Sequence, residues 1–591
     1  ESQRIIKPHI KTESPVQIRS DGSPVTLLTH TKNENGYQIA AQSATSEITV
    51  IQVRLRKTMM GTTRKTVLQE TITIPAESKI TAMVFDEAYS SLLLGTSFGQ
   101  VFRIDLEDTQ SPAQLVWTTP KKTIEVSSLN FALGGYTLVV TDSEGQVSSF
   151  QLQKSQSGKY TLKKIYEFLP HNNPSRLFSY SLRNKGFLTG SKEIVRLHYG
   201  TTGESQLEFP SQANSSYTAI TLAPKFDGIL TADSSGTLSR WRIDNPYPQI
   251  SLTGLMGKIW YEGYDNPEYV WQSTGGTDEF ESKFSLTPLI FGTLKGTLYA
   301  MFFAVPLALF ASFYVSQFMK PDLKRIIKPT IEIMAALPSV VLGFFAALVI
   351  APQVETFLPG IMIMPIIIIA LIVISLLFYE IFPRLQFLAR NGREIYLLIF
   401  ITLLGGSLSF YGGTLIEASL LLGDHRVWLK QVLEVTYDQR NSLVVGLAMG
   451  FAVIPIIFTI AEDSLSNVPE HLKASSLALG ATPWQTALNV ILPTASPGIF
   501  SAIMIGFGRA IGETMIVLMA TGNTPIMEWS IFNGFRALSA NIAVELPEAP
   551  EGGTLFRILF LAAFLLFAMT FVINTIAELV RLRLRKRYQG L

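Results

Sequence analysis

The stretch GTLYAMFFAVPLALFASFYV, residues 296–315, contains twenty residues without a charge. A helix of about 20 apolar residues crosses the hydrocarbon core of a bilayer. By this measure the sequence predicts seven membrane spans, near 289–316, 329–350, 359–380, 394–414, 442–461, 498–519 and 555–577. Seven such helices in the second half of a soluble protein would leave almost no polar surface, so we favour a polytopic all-α membrane domain.

The composition excludes several classes of protein. Hydrophobic residues make up 47% and charged residues 16% of the 591 residues, whereas soluble domains carry about 25% charged residues. A wholly soluble enzyme is therefore excluded. The net charge of +2 is too balanced for a nucleic-acid-binding protein. Because the chain has no cysteine, it has no disulfide, thiolate metal site or cysteine nucleophile.

Lysine and arginine residues mark the cytoplasmic connections of a membrane protein. One alternate set of connections is much richer in them and comprises Lys320, Lys324, Arg325, Lys328, Arg384, Arg390, Arg393, Lys473, Arg581, Arg583, Arg585, Lys586 and Arg587. This distribution predicts a cytoplasmic C-terminus and an N-terminal domain on the outer face of the membrane. An outer N-terminal domain also requires an earlier crossing, so we expect a further membrane helix upstream of Glu1.

The first half of the chain repeats one pattern of a short strand, a turn, an apolar strand, a tight polar turn and a third strand. The copies, of which the first is faint, are 36–53, 80–106, 126–152, 175–199 and 217–243. Gly99 and Gly145 are 46 residues apart, and Thr141, Thr189 and Thr231 follow at intervals of 48 and 42. Such periods are typical of propeller blades. We therefore predict an all-β, WD40-like propeller with at least five blades, with a β-sandwich as the alternative.

The predicted domains are a propeller-like domain at 1–257, a linker at 258–285 and a membrane domain at 286–591. The turns TDSEG (141–145) and TADSSG (231–236) favour hairpins over calcium sites. No metal site or catalytic residue is predicted. The linker is rich in aromatic residues, which we expect at the membrane interface: Trp260, Tyr261, Tyr264, Tyr269 and Trp271.

The run GFGRAIGETMIVLMATGN (506–523) places ionisable residues inside a predicted span. Arg509 and Glu513 are four residues apart, which predicts one face of a helix, and charges at such depth mark transport pathways. A guanidinium matches phosphate oxygens, so Arg509 is the predicted anion ligand. Glu513 would neutralise it in the empty site, and Thr514 adjoins them. The alternative is a structural ion pair between helices packed through Gly506, Gly508, Ala510 and Gly512.

Three further features of the membrane half lead to weaker expectations. Pro338 and Ser339 interrupt a predicted span, which suits a gate or a plain kink. Lys295 is expected to snorkel from the outer end of its span to the interface. Residues 417–435 are expected to form an amphipathic helix on the outer surface.

The segment 462–497 contains two predicted short helices outside the membrane. Asn467 and Glu470 flank Pro469 at the start of the first helix, and Thr482 with Gln485 forms a capping box at the second. Such helices can bind in a cleft of a partner protein, so that a movement of the partner also moves the attached membrane spans.

The stretch ASSLALGATPWQTALNVILP (474–493) resembles the EAA coupling loop of ABC importer permeases. The residues that fit the family pattern are Gly480, Val490, Leu492 and Pro493, and Ala481 is assigned to the same loop. The sequence departs from the family where Glu-Ala-Ala is usual, at Ala474, Ser475 and Ser476.

The run at 506–523, with ALPSVVLGF (336–344) and residues 286–309, resembles the C subunits of Pst phosphate importers. The resemblance covers roughly 286–350 and 442–591. The spans at 359–380 and 394–414 and the outer domain would then be insertions.

This resemblance implies a MetI-like permease subunit of an ATP-driven phosphate importer, which is not itself an enzyme and binds no cofactor. ATP would be used by a separate ATPase dimer docked on 467–493, since no Gly-x-x-x-x-Gly-Lys-Ser/Thr occurs in the chain. A second homologous permease and a phosphate-binding protein are the other implied partners. The alternatives are a secondary anion transporter and a membrane-anchored propeller sensor. Deleting 1–250 would abolish activity only in the sensor.

Overall fold

The computed structural model describes residues 24–588, apart from 34–35, 44–46, 58–62, 74–78, 87–89, 109–110, 122, 156–157, 212–214, 276–279 and 382–393. The predicted cytoplasmic residues Arg384, Arg390 and Arg393 lie outside the described residues. The chain divides into two compact units between Lys283 and Phe284. We call them the β unit and the helical unit.

The β unit contains nineteen strands of the repeated pattern among its described residues. They are β1 (Val25–Asn33), β2 (Gly36–Ser43), β3 (Glu47–Lys57), β4 (Thr63–Thr73), β5 (Ile80–Asp86), β6 (Ser91–Thr96), β7 (Gln100–Asp105), β8 (Gln114–Thr118), β9 (Val126–Phe131), β10 (Thr137–Asp142), β11 (Val147–Lys154), β12 (Tyr160–Phe168), β13 (Leu177–Tyr180), β14 (Gly186–Gly190), β15 (Ile194–Tyr199), β16 (Glu204–Pro210), β17 (Tyr217–Leu222), β18 (Gly228–Asp233) and β19 (Leu238–Arg242). The segment that follows adds α1 (Leu252–Met256), β20 (Trp271–Gln272) and β21 (Lys283–Phe284).

The nineteen strands form consecutive antiparallel sheets in chain order. Four sheets have four strands, and the described part of the fifth, β17–β19, has three. The first strands of neighbouring sheets contact each other, β1 with β5, β5 with β9 and β13 with β17. Sheets that each run outward from such a first strand are the blades of a propeller, so the propeller-like prediction is confirmed. The fourth strands were missed because their side chains are largely exposed and polar, as in β12.

The repeated threonines and glycines have the structural roles that their spacing indicates. Thr141, Thr189 and Thr231 lie in the second strand of their sheets and are at most 1% exposed. Gly145 adopts a φ of +85° in the following turn, and a Cβ there would lie 2.1 Å from the backbone oxygen of His171. Asp142 accepts hydrogen bonds from backbone N–H groups of this turn, at 3.0 and 2.9 Å. The hairpin interpretation is therefore confirmed for this turn.

The aromatic segment after the sheets is part of the β unit and not a free linker. Glu262 accepts a hydrogen bond from Thr137 at 2.7 Å and pairs with Lys185 at 2.5 Å. Tyr261 and Trp271 are 5% and 3% exposed. These two rings are therefore packed inside the protein, and the position of the segment at a membrane interface stays a prediction.

The helical unit contains thirteen α-helices among its described residues. They are α2 (Thr287–Gln317), α3 (Pro321–Ala335), α4 (Ser339–Phe345), α5 (Ala351–Ile381), α6 (Glu394–Leu420), α7 (His425–Val432), α8 (Ser442–Ser466), α9 (Glu470–Ala478), α10 (Pro483–Thr486), α11 (Leu492–Gly512), α12 (Met515–Ala520), α13 (Leu538–Glu545) and α14 (Thr554–Tyr588). A 3-10 turn, Leu546–Glu548, follows α13. Two π-helical turns, Ala346–Ile350 and Ala487–Ile491, join α4 to α5 and α10 to α11.

Six described segments are long and apolar enough to cross a membrane: Thr287–Gln317, Ser339–Phe378, Tyr396–Leu420, Ser442–Ser466, Pro483–Gly512 and Thr554–Lys586. Three predicted boundaries are therefore wrong. The span at 329–350 is broken before Ser339, the span at 359–380 continues from the helix before it, and the span at 498–519 begins at Pro483 and ends at Gly512.

Prolines explain why two helices are longer than the sequence predicts. A proline inside a helix clashes with the carbonyl four residues earlier. Pro352 and Pro493 each follow a π-helical turn by two residues. The wider turn offers room for the ring, so α5 and α11 continue through residues that normally end a helix.

The long segment that begins at Ser339 contains a kink. Lys328 pairs with Glu462 near the C-terminal end of α8, whereas Glu355 accepts a hydrogen bond from Gln439, just before the N-terminal end of α8. The backbone leaves the helical conformation at Phe357 (φ −114°, ψ 22°). Beyond it, α5 packs beside α6, with Gly360 against Gly413 and Ile368 against Gly405. The sequence predicts seven spans, whereas the described residues contain six segments of this kind.

Candidate functional site

The antiparallel packing of α11 on α8 sets the depth of Arg509. Gly498 of α11 packs against Ser464, and Gly506 packs against Val453. Arg509, one turn beyond Gly506, therefore lies close to the midpoint of α8. If α8 crosses the bilayer, the guanidinium is near mid-membrane, where a charge is costly and normally functional.

Arg509 is half-buried and has no hydrogen bond or ion pair among the residues that the structure describes. The expected pair with Glu513 is absent because α11 ends at Gly512, and Glu513 has an extended backbone (φ −66°, ψ 123°). The prediction that the two residues share one helix face, with Glu513 neutralising Arg509, is wrong for this conformation. The guanidinium is left available for an anion.

Glu513 instead belongs to the short connection between α11 and α12. Its carboxylate accepts a long hydrogen bond, 3.5 Å, from the backbone N–H of Ile516 in the first turn of α12. Its backbone oxygen accepts a hydrogen bond from Ser539 Oγ at 3.0 Å. Thr514 is half-buried beside it, and its hydroxyl donates to the backbone oxygen of Gly512 at 3.2 Å. The connection is thereby tied to α13.

The predicted gate residues interrupt the helix and lie near this connection. Pro338 is the N-cap of α4, and Ser339 is its first residue. One turn later, a Cβ at Gly343 would lie 2.9 Å from the backbone oxygen of Met515, so α4 packs on the helix that directly follows Glu513. The break is confirmed, whereas a gating role stays a prediction.

The segment that resembles a coupling loop is a compact helical hairpin. Thr482 forms the predicted capping box with Gln485, with bonds of 3.2 and 2.9 Å. Gly480 adopts a φ of +88°, which allows the sharp turn. Ser476 Oγ lies 2.9 Å from Thr486 Oγ1 and so joins α9 to α10. The first helix begins at Glu470, but Asn467 caps the end of α8 rather than the start of α9.

The other residues of the resemblance lie on the outer face of this hairpin or at its exit. Ala474 and Ser475 are exposed on α9, Ala481 is half-buried after the turn, and Leu492 and Pro493 open α11. The tip is apolar: Leu479 is 89% exposed and Trp484 is 57% exposed. This is a surface that a partner could cover.

A buried charge cluster beside this hairpin was missed in the sequence. Glu462 is fully buried and pairs with Lys324 at 2.5 Å and with Lys328 at 2.8 Å. Lys328 also lies 2.7 Å from Asp463, and these two carboxylates raise its pKa. The spacing of the lysines by four residues on an amphipathic helix was the available signal.

Lys295 is a second intramembrane cation whose placement differs from the prediction. Its side chain is fully buried rather than snorkelling, and Nζ lies 3.4 Å from the backbone oxygen of Asn533. Ser442 Oγ donates to the same oxygen at 2.6 Å. Lys295 therefore helps to fasten the segment before α13 between α2 and α8.

One group of potential metal ligands lies together among the described residues, at the start of α7. Glu417 Oε1 is 2.7 Å from His425 Nδ1. Asp424 caps the helix and is held by Arg426 at both oxygens. Glu417 Oε1, His425 Nδ1 and both oxygens of Asp424 are engaged in hydrogen bonds, so the group serves as a helix cap with a hydrogen-bonded His–Glu pair. The predicted amphipathic helix at 417–435 is α7, which is much shorter.

Comparison with known proteins gives one match to a protein family. Residues 395–589 match the family described as "Binding-protein-dependent transport system inner membrane component". The matched range includes α6. The prediction that the span at 394–414 is an insertion relative to a minimal permease is therefore wrong.

Curated relatives share about half of the chain. The phosphate transport system permease protein PstC of Xylella fastidiosa is 26% identical over 307 residues, which cover 52% of this chain and 76% of that protein. The PstC protein of Mesorhizobium japonicum is 28% identical, with coverage of 52% and 76%. The probable ABC transporter permease protein YqgH of Bacillus subtilis is 22% identical, with coverage of 55% and 80%.

Among solved structures, the β-propeller domain of Cps50 (Swd1) from Myceliophteria thermophila has a TM-score of 0.30 and 14% identity. The match covers 37% of this chain and 71% of that chain. The propeller-like description of the β unit rests on its own sheet topology.

Proposed function

We propose that the helical unit is a PstC-like ABC permease unit and that the chain is a permease subunit of an ATP-driven importer of inorganic phosphate. It forms half of the transmembrane pathway, together with a second, homologous permease. A separate ATPase dimer supplies the energy, and a phosphate-binding protein delivers the anion. The spans lie in a bacterial inner membrane, and the β unit lies in the periplasm.

The observation that carries this proposal is the unpaired guanidinium of Arg509 near the middle of the helical unit. Its planar set of N–H donors fits two oxygens of a tetrahedral anion. Because no carboxylate among the described residues pairs with it, binding phosphate does not require an ion pair to break. A single arginine also limits the affinity, which allows the anion to leave.

The second support is the continuity of one helix from the coupling hairpin to Arg509. From Pro483 to Gly512 the backbone is helical throughout, by way of the π-helical turn. At about 1.5 Å per residue, roughly 39 Å separate Pro483 from Arg509. A displacement of the hairpin therefore moves the anion ligand as part of the same helix.

The third support is the exposed apolar tip of the hairpin. Leu479 and Trp484 project from the helical unit, and Trp484 packs edge-on against Phe313 of α2, with ring centroids 6.0 Å apart. An ATPase that covers this tip would push on α2, α8 and α11 together. Alternating access then follows, because closure of the ATPases turns Arg509 from the outer to the inner side.

The test is ATP-dependent phosphate uptake into vesicles that hold this chain, the second permease and the ATPase, with the binding protein outside. Uptake should require ATP and persist when ion gradients are collapsed. Uptake that instead follows an ion gradient without ATP would establish a secondary transporter, and uptake of an unrelated solute in place of phosphate would overturn the substrate.

A further inference from the structure

A polar stripe runs along one face of the long helix α14, within an otherwise apolar surface. Thr570, Asn574 and Glu578 follow at intervals of four residues, which places them on one face. They share one open surface of this helix with Phe567, Phe571, Thr575 and Leu579. Asn574 is exposed. An exposed amide is disfavoured in hydrocarbon, so this face does not point to lipid.

Asn574 of this stripe lies beside Gly508 of α11. A Cβ placed on Gly508 would lie 3.4 Å from Asn574 Oδ1, so the amide sits over the α11 backbone, one residue from Arg509. Asn574 thus faces α11 at the residue that directly precedes the predicted anion ligand in the sequence.

The amide of Asn574 has no hydrogen bond among the residues that the structure describes. Its hydroxyl neighbours are engaged within their own helix. Thr570 donates to the backbone oxygen of Phe567, and Thr575 donates to that of Phe571, each at 2.8 Å. Within this polar stripe, Asn574 is therefore a neutral side chain whose N–H donors and amide oxygen remain free to bind a ligand.

We propose that Asn574 is a substrate-contacting residue, whose amide hydrogen-bonds the oxyanion bound at Arg509 and thereby helps to select it. This inference rests on the proposed function. The arginine supplies charge, and the amide supplies both a donor for an anion oxygen and an acceptor for a P–OH group. A neutral partner adds specificity without holding the anion too tightly for release.

The test uses the absence of cysteine in the chain. Asn574→Cys in the assembled transporter is treated with a membrane-impermeant, positively charged methanethiosulfonate, which reacts with thiols in contact with water. The control is Val572→Cys, which is 52% exposed and lies about 200° away around the helix at nearly the same depth. We expect the cysteine at 574 to react faster than the one at 572, and inorganic phosphate to slow that reaction.

Equal reactivity at the two positions, or no reaction at 574, would overturn the proposal. The latter result would place the stripe against the second permease. Reaction at 574 without protection by phosphate would also overturn it. Phosphate uptake by the unmodified chain tests the proposed function separately.

A second measurement separates substrate contact from packing. Asn574→Leu should raise the KM for phosphate uptake about tenfold, since a hydrogen bond to a charged partner is lost. Thr402→Val, on α6 and away from this surface, removes a hydroxyl that donates to the backbone oxygen of Leu398 in its own helix, and it should leave KM unchanged. An unchanged KM in the Asn574→Leu variant would contradict the proposal.

Discussion

Lys328 Nζ lies 2.8 Å from Glu462 Oε2, and the carboxylate side chain of Glu462 is fully buried. This ion pair joins the amphipathic helix α3 to the C-terminal end of α8, directly beside the coupling hairpin. A buried carboxylate is tolerated only where its charge is compensated. Here Lys324 Nζ and Ser466 Oγ also contact Glu462 Oε1, each at 2.5 Å.

Removing one lysine should therefore destabilise the helical unit. We expect Lys328→Met to lower the free energy of unfolding by about 1–3 kcal/mol, less than a fully uncompensated buried charge because Lys324 remains. Thermal unfolding of the detergent-purified protein measures this. Lys473→Met is the control, since its partner Glu470 is 90% exposed and such surface pairs contribute about 0–1 kcal/mol. Equal effects of the two substitutions would show that burial of Glu462 does not matter.

The β unit should lose stability in mild acid. His171 and His198 are buried and bond the same hydroxyl of Thr189, at 2.8 and 2.7 Å. Burial, aided by the nearby Arg196, lowers the pKa of His171 to about 4. The unfolded chain takes up the proton near pH 6.5, whereas the folded unit does so only near 4, so stability falls as pH decreases between these values.

The measurement is the unfolding transition of the β unit in the intact chain, followed at about pH 7 and about pH 5. His171→Gln removes one buried imidazole and should make the transition less dependent on pH. His30→Gln, at an exposed position, should leave the dependence as it is. A transition in the unsubstituted chain that does not change with pH would refute this prediction.

Arg509 should be indispensable for transport but not for folding. Arg509→Ala removes the donors for the anion, and Arg509→Lys keeps the charge without the planar fork. We expect both substitutions to reduce phosphate uptake by about a hundredfold or more, because each loses charge-assisted hydrogen bonds to the anion. Membrane insertion should be unchanged, because the guanidinium holds no partner within the described residues. Arg557→Ala, at an exposed position, is the control. Normal uptake by Arg509→Ala would refute the assignment.

The tip of the coupling hairpin should be needed for binding the ATPase. Leu479→Asp places a charge on a side chain that is 89% exposed, so folding of the chain is unaffected, whereas burial in a partner's cleft becomes unfavourable. Co-purification of the ATPase with the permease should be lost. Leu252→Asp, in the β unit and 80% exposed, should retain the ATPase. Retention in both variants would exclude the tip as the docking surface.

The sequence predicted features that depend on local chemistry. The capping box at Thr482, the turn at Gly480 and the apolar passes follow from residue types at short spacing. The effect of prolines was harder to predict. Local rules place the end of a helix at Pro493, but a π-helical turn accommodates this proline and the helix continues. The relation of Arg509 to Glu513 failed for a similar reason. Four-residue spacing implies one face only if the helix continues, and the backbone leaves the helix at Glu513.

Contacts between distant segments were beyond the reach of sequence patterns. Nothing local indicates that Glu462 meets two lysines from α3, or that the amide of Asn574 lies over Gly508. Lys295 illustrates the same limit, since snorkelling and burial are equally compatible with its place in the span. The burial of Lys295 depends on the distant segment around Asn533, which covers the lysine side chain.

The glycines of α11 should differ sharply in their tolerance of substitution. A Cβ on Gly506 would lie 2.6 Å from Ile457 Cγ1 of α8, whereas a Cβ on Gly512 would meet nothing within 4 Å. Gly506→Ala should therefore force the two helices apart and cost about 1–3 kcal/mol of stability. Gly512→Ala should be neutral or slightly stabilising, since alanine favours the helix by about 0.5–1 kcal/mol. Thermal unfolding of the two variants measures the difference. Equal melting temperatures would mean that α11 does not pack closely on α8 at Gly506, and the mid-depth placement of Arg509 would lose its basis.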